Sequence, residues 1–154
     1  VATEKSALRI RDLDSRVGEE VGVSPWVEIS QERIDLFARA TDDHQWIHVD
    51  PERARGSPFG GTVAHGFLTL SMLPRLVEST FDFSDRQMGI NYGLNRVRFT
   101  APVPAGARIR GRFVLAAFEK LADGGVQTTW RVTVEREGGE RPVMVAEAIS
   151  RHYF

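Results

Sequence analysis

The segment from Val63 to Val77, VAHGFLTLSMLPRLV, is apolar on nearly every side. A surface helix carries one apolar stripe, whereas a helix of this kind has to be surrounded rather than docked along one face. Whatever else the chain builds must therefore supply cover for it. Pro74 lies inside the segment and removes one backbone donor, which predicts a kink or an early end nearby.

The second half of the chain has the means to supply that cover. Met88 to Thr100, Ala107 to Leu121, Val126 to Glu137 and Val143 to Phe154 are rich in strand-forming residues. Thr128, Trp130, Val132 and Val134 alternate with Gln127, Thr129, Arg131 and Thr133. Asp123-Gly124-Gly125 and Gly138-Gly139 suit tight reversals between antiparallel neighbours, and the run from Pro102 to Gly106 is a longer interruption. The first half reads as helical. Ser30 caps a helix with Ile34, Phe37 and Ala38 on one face, ended by Asp42 and Asp43, and Asp50-Pro51 starts another. The expectation is an α+β fold in which an antiparallel sheet wraps around a long central apolar helix. With 154 residues, 42% hydrophobic content and no internal repeat, one domain spanning residues 1–154 is expected.

Charge excludes some partners. Twenty Lys and Arg stand against 21 Asp and Glu, far from the basic footprint of a nucleic-acid binder. No cysteine occurs, so thiolate nucleophiles, thiolate metal sites and disulfides are ruled out, which is compatible with a reducing, cytoplasmic setting. Neither a signal peptide nor a membrane span is visible, so a soluble protein with no membrane partner is expected.

The chemistry concentrates in Ala40-Thr41-Asp42-Asp43-His44-Gln45-Trp46-Ile47-His48-Val49-Asp50, followed by Ala64-His65-Gly66-Phe67. Together these resemble the MaoC-like dehydratases, or R-specific enoyl-CoA hydratases, of the hot-dog fold. That family's motif runs Asp, any residue, Asn, Pro, an aliphatic residue, His. Here Asp43 and His48 stand at the catalytic places, and Gln45 and Trp46 replace the common Asn and Pro. Ala64-His65-Gly66 resembles the family's lead into the central helix, and the run from Tyr92 to Phe99 its first long strand. The resemblance implies hydration of a 2-enoyl thioester, or the reverse dehydration, on coenzyme A or acyl carrier protein. It implies Asp43 and His48 as the acid–base pair, the Gly66 N–H as the oxyanion hole and no cofactor or metal. Thr69 and Ser71 are both open as the family's supporting helix hydroxyl.

The residue types suit this reaction independently. A carboxylate and an imidazole, with ordinary pKa values of about 3.9 and 6.5, can grip one water and move its proton near neutral pH. A backbone N–H at a helix start meets the negative charge gathering on the thioester oxygen. No Gly-x-Ser-x-Gly elbow and no dinucleotide fingerprint compete with this reading. Alternatives remain: a thioesterase of the same fold, a non-catalytic subunit of a heterodimer, or a metal held by Asp43, His44 and His48. The metal is disfavoured because Asp42-Asp43 and Trp46 interrupt the helix that would align the ligands. His65 is read as a cap or packing residue, and His44 and His152 as surface or structural. Arg96, Arg98, Arg108, Arg110 and Arg112 are read as a solvated strand face, with contact to coenzyme A phosphates as the minor alternative. Open sheet edges point to a symmetric homodimer.

Overall fold

The computed structural model describes residues 4–154. A short strand β1 (Ser6–Leu8) and a 3-10 turn (Ile10–Arg16) lead into β2 (Glu20–Val23) and β3 (Val27–Glu28). Helix α1 (Gln31–Thr41) begins where expected, with the Ser30 hydroxyl accepting from the Arg33 N–H at 3.2 Å. It stops at Asp42, which takes the left-handed conformation (φ 58°) that a short polar side chain tolerates. The short helix α2 (Trp46–Val49) and α3 (Pro51–Arg55) follow. Asp50 caps α3 through the Arg53 N–H, with Pro51 in the first turn.

The apolar segment corrects one expectation. It forms two short helices, α4 (Gly66–Ser71) and α5 (Leu73–Thr80), in place of one long helix. Pro74 sits in the first turn of α5, where its missing N–H is tolerated, and Met72 is the joint between the two helices. Cover is also one-sided within the chain. Leu68, Met72 and Leu76 are buried, whereas Phe67 is 67% exposed and Ser71 and Pro74 face outward.

After β4 (Phe81–Phe83) come four long strands, β5 (Met88–Arg98), β6 (Arg108–Lys120), β7 (Val126–Arg136) and β8 (Met144–Tyr153). They make one antiparallel sheet in the order β2-β6-β7-β8-β5, with β3 also paired to β6, while β1 pairs parallel with β4. The inner face alternates as the sequence predicts: Trp130, Val132 and Val134 are buried and Arg131 is exposed. The expected antiparallel sheet curved about the helical segment is thus present. On the outer face the Arg row is ion-paired, Arg108 to Glu137 at 3.2 Å, Arg110 to Glu135 at 2.8 Å and Arg112 to Glu20 at 2.9 Å. Those three arginines form the solvated face that was expected, and their charges are already matched.

One polar chain lies inside the sheet. The Trp130 indole N–H donates to Thr128 Oγ1 at 2.9 Å, and Thr128 Oγ1 lies 2.8 Å from His152 Nε2. Burial, with the positive charge of Arg86 nearby, pushes the His152 imidazole down to about 4, partly offset by Asp85. Its folded pKa lies below its unfolded value, so on acidification the unfolded chain takes the proton first. Stability from this residue is complete above about pH 6.5 and is lost as pH falls toward 4. The expected loss is roughly 3 kcal/mol across that window, measurable by denaturant titration at a series of pH values. A His152→Phe variant should flatten that part of the profile. A wild-type profile already flat between pH 6.5 and 4 would contradict the assignment.

Candidate active site

Two segments meet at the site, the α1–α2 connection carrying Asp43 and His48, and the approach to α4 carrying Val63, His65 and Gly66. Three contacts stitch them. The Val63 N–H donates to the Ile47 carbonyl at 3.0 Å. His48 Nδ1 lies 2.6 Å from the Val63 carbonyl, and His65 Nε2 lies 3.0 Å from the Asp43 carbonyl. A carbonyl only accepts, so each of these nitrogens carries the proton. In the neutral rings this leaves His48 Nε2 and His65 Nδ1 as lone-pair acceptors. The two rings stack at 3.9 Å between centroids, and Phe37 packs against His65 at 4.9 Å.

Side-chain atoms of Asp43, His48 and His65 all lie within 4.8 Å of one another. Asp43 is exposed while both imidazoles are buried. The Asp43 carboxylate also accepts from the Gln45 N–H at 3.4 Å, which tethers it over the start of α2. Burial lowers the His48 pKa from its ordinary 6.5. The bond to Val63 opposes this, His65 adds to it, and Asp43 opposes it. His48 is therefore predominantly neutral at pH 7 with Nε2 free to take a proton. A metal was weighed on Asp43, His44 and His48, whereas the fold gathers Asp43 and His48 with His65. The ring planes are only 26° apart and stacked, so their in-plane lone pairs do not converge at the roughly 2 Å that an ion requires.

Gly66 is the first residue of α4, and its N–H meets no acceptor among the described residues. A Cβ on Gly66 would stand 2.7 Å from Cδ2 of Phe99, whose ring lies against the backbone there. Phe67 meets the same ring edge-on at 6.0 Å. Of the two hydroxyls left open, Thr69 is buried on α4 and Ser71 is exposed, and neither bonds to Asp43 or His48 among the described residues. His44 stays at the surface, 3.9 Å from Asp42.

His65 is the residue whose part in the site exceeds the expectation. It packs, as expected, but it also holds the Asp43 backbone and stacks on His48. Seventeen positions separate it from His48, and only the proximity created by the fold reveals the contact. A cavity of about 730 Å³ lies between α4–α5 and strands β5, β7 and β8; Leu70 and Ser71 of α4 line it, and Asp43, His48, His65 and Gly66 do not.

Comparison with known proteins identifies the family. Residues 12–137 match the model of the MaoC like domain. The chain belongs to the MaoC-like dehydratase family. It is 54% identical over 143 residues to 3-hydroxyacyl-thioester dehydratase Z of Mycobacterium tuberculosis, covering 93% of this chain and 95% of the relative. The MaoC-like dehydratase from Rhodospirillum rubrum superposes with a TM-score of 0.76 at 26% identity, over 95% of this chain and 97% of that one. R-hydratase from Pseudomonas aeruginosa in the unliganded form gives 0.67 at 25% identity, over 87% and 79%. The hot-dog fold and the hydro-lyase class expected from the motifs are borne out.

Gly66→Ala should therefore cost about 1–3 kcal/mol of stability, because the Phe99 ring must move. Denaturation of Gly66→Ala, Phe99→Ala and the double variant forms a cycle in which Phe99→Ala recovers part of that loss. Strict additivity of the two substitutions would contradict the contact.

Proposed function

We propose that this chain interconverts a 2-enoyl thioester and its 3-hydroxyacyl thioester by adding or removing water, with Asp43 and His48 as the acid–base pair. The observation that carries the proposal is the convergence of one tethered carboxylate and one neutral imidazole with a free Nε2, in a chain 54% identical to a 3-hydroxyacyl-thioester dehydratase. In the hydration direction, water between the two side chains adds its oxygen to C3. Its proton passes through the pair to C2, so that no atom is left over, and dehydration is the reverse. Negative charge accumulates on the thioester oxygen in the transition state, and the unpaired Gly66 N–H is the donor suited to meet it. His65 acts on the reaction only by holding Asp43 and His48 in place.

The thioester is carried by coenzyme A or acyl carrier protein, and residues 1–154 work as one unit in the cytoplasm without a cofactor. None of the described helices is long and apolar enough to cross a membrane. The working form is a homodimer. Strand β5 is the outer edge of the sheet, and Met88, Ile90, Tyr92 and Leu94 on it are exposed although apolar or aromatic. Pairing two β5 edges joins the sheets and covers those side chains.

Crotonyl-CoA with purified protein tests the reaction: loss of enone absorbance without release of free thiol is expected. Thiol release with the alkene intact would make the protein a thioesterase. Asp43→Asn and His48→Gln should each lower kcat/KM by about 10²–10⁴-fold, and the acid limb of the wild-type pH profile should fall below pH 6.5. Wild-type rates in both variants would point to a non-catalytic subunit. Light scattering should find two chains per particle, and Leu94→Glu should shift it toward one. A wild-type particle of one chain at assay concentration would refute the dimer.

A further inference from the structure

His48 sits in α2, a single turn of four residues that is too short to hold its shape alone. The helix ends one residue later, at Val49, so no N–H of its own turn reaches the His48 carbonyl. Gln31, the first residue of α1, supplies the donor, with its Nε2 lying 2.8 Å from that carbonyl. The same Nε2 donates to Asp35 Oδ1 at 2.9 Å, and Oε1 meets the hydroxyl of the buried Thr62. A carbonyl and a carboxylate only accept, so both must face the amide nitrogen. Oε1 is thereby turned to Thr62, whose hydroxyl donates to it. Both N–H bonds and the oxygen of the Gln31 amide are in use.

These bonds close a circuit. Thr62 precedes Val63, whose carbonyl accepts from His48 Nδ1 at 2.6 Å. His48 is held twice by one dipeptide, its ring directly and its main chain through Gln31. The Thr62 carbonyl is in turn fixed by the Ala105 N–H at 3.0 Å. Gln31 also stands at the start of the helix whose other end leads into Asp43, since α1 stops at Thr41 and Asp42 caps it. A single helix thus carries the carboxylate beyond its last turn and grips the backbone of the imidazole from its first.

We propose that Gln31 is a positioning residue for the reaction: its amide, bridging the His48 carbonyl and the Thr62 hydroxyl, sets where His48 Nε2 stands relative to the Asp43 carboxylate. The inference rests on the acid–base reading above. Gln31 acts through His48 and not on the reacting atoms. With the bridge gone, the bond to Val63 still fixes the tautomer, but the α2 turn is free to shift against α1. A displacement of about 1 Å in a reacting group costs on the order of 10²-fold in rate.

The test measures kcat and KM for crotonyl-CoA in Gln31→Ala, Thr62→Val and Thr62→Ser, with thermal unfolding of each. Gln31→Ala should lower kcat by about 10- to 100-fold while KM changes by less than about threefold. Thr62→Val removes the hydroxyl at similar shape and should lower kcat by a smaller factor, which Thr62→Ser recovers. In the double variant Gln31→Ala/Thr62→Val the two losses should not multiply, because a single bridge is removed. A readout apart from turnover is the His48 Nδ1 proton in the NMR spectrum: held by Val63 in the wild type, it should exchange with water faster in Gln31→Ala. A folded Gln31→Ala with wild-type kcat would overturn the proposal, as would losses that multiply in the double variant. If Gln31→Ala does not fold, the Thr62 variants decide, and equal kcat in Thr62→Val and Thr62→Ser refutes the bridge. Wild-type protein inactive on crotonyl-CoA removes the reaction itself, whereas an active wild type with unaffected variants removes this inference alone.

Discussion

The site depends on a crossed pair of hydrogen bonds between two loops. His48 of the first loop donates to the Val63 carbonyl of the second, and His65 of the second donates to the Asp43 carbonyl of the first. Each histidine thereby spends one ring nitrogen on backbone and keeps the other free, and stacking of the rings holds both planes. Without these bonds Asp43 would be an exposed residue after a helix end, with nothing to keep it near an imidazole. The tautomer matters as much as the distance. Only with the proton on Nδ1 can His48 offer Nε2 to water.

The fold supplies this pair of loops by an indirect route. An apolar segment that needs cover draws a sheet around it, and Pro74 divides that segment so that α4 begins at Gly66 and stops after two turns. The sheet covers one side only. What is left open includes Phe67 on α4 and the aromatic and aliphatic side chains of β5, of which Ile90 and Leu94 also line the cavity.

Much of this was legible in the residues. The four long strands fall within one or two residues of their expected bounds, because each is long enough for alternation to register. The caps at Ser30 and Asp50 were legible because their chemistry is local. Strands β1 to β4, of two to four residues, were not, since so short a run has no period to read. The break at Met72 follows from Pro74, though the residues alone could not choose between a kink and an early end. Asp43 and His48 were legible through a motif. His65 was named only as a packing residue, since its bond to the Asp43 carbonyl exists only after the loops meet. For His152 a signal existed: it shares the inward parity of Met144 and Ala146 along β8, and all three are buried.

One imidazole, held by backbone, presents an unprotonated Nε2 beside a carboxylate. Nitrogen-15 NMR of the histidine rings, with His48 assigned by comparison with His48→Gln, reads this directly. Near pH 7 the His48 ring should be neutral with its proton on Nδ1, and it should titrate below the ordinary 6.5. A ring carrying its proton on Nε2, or one still doubly protonated at pH 7, would contradict it.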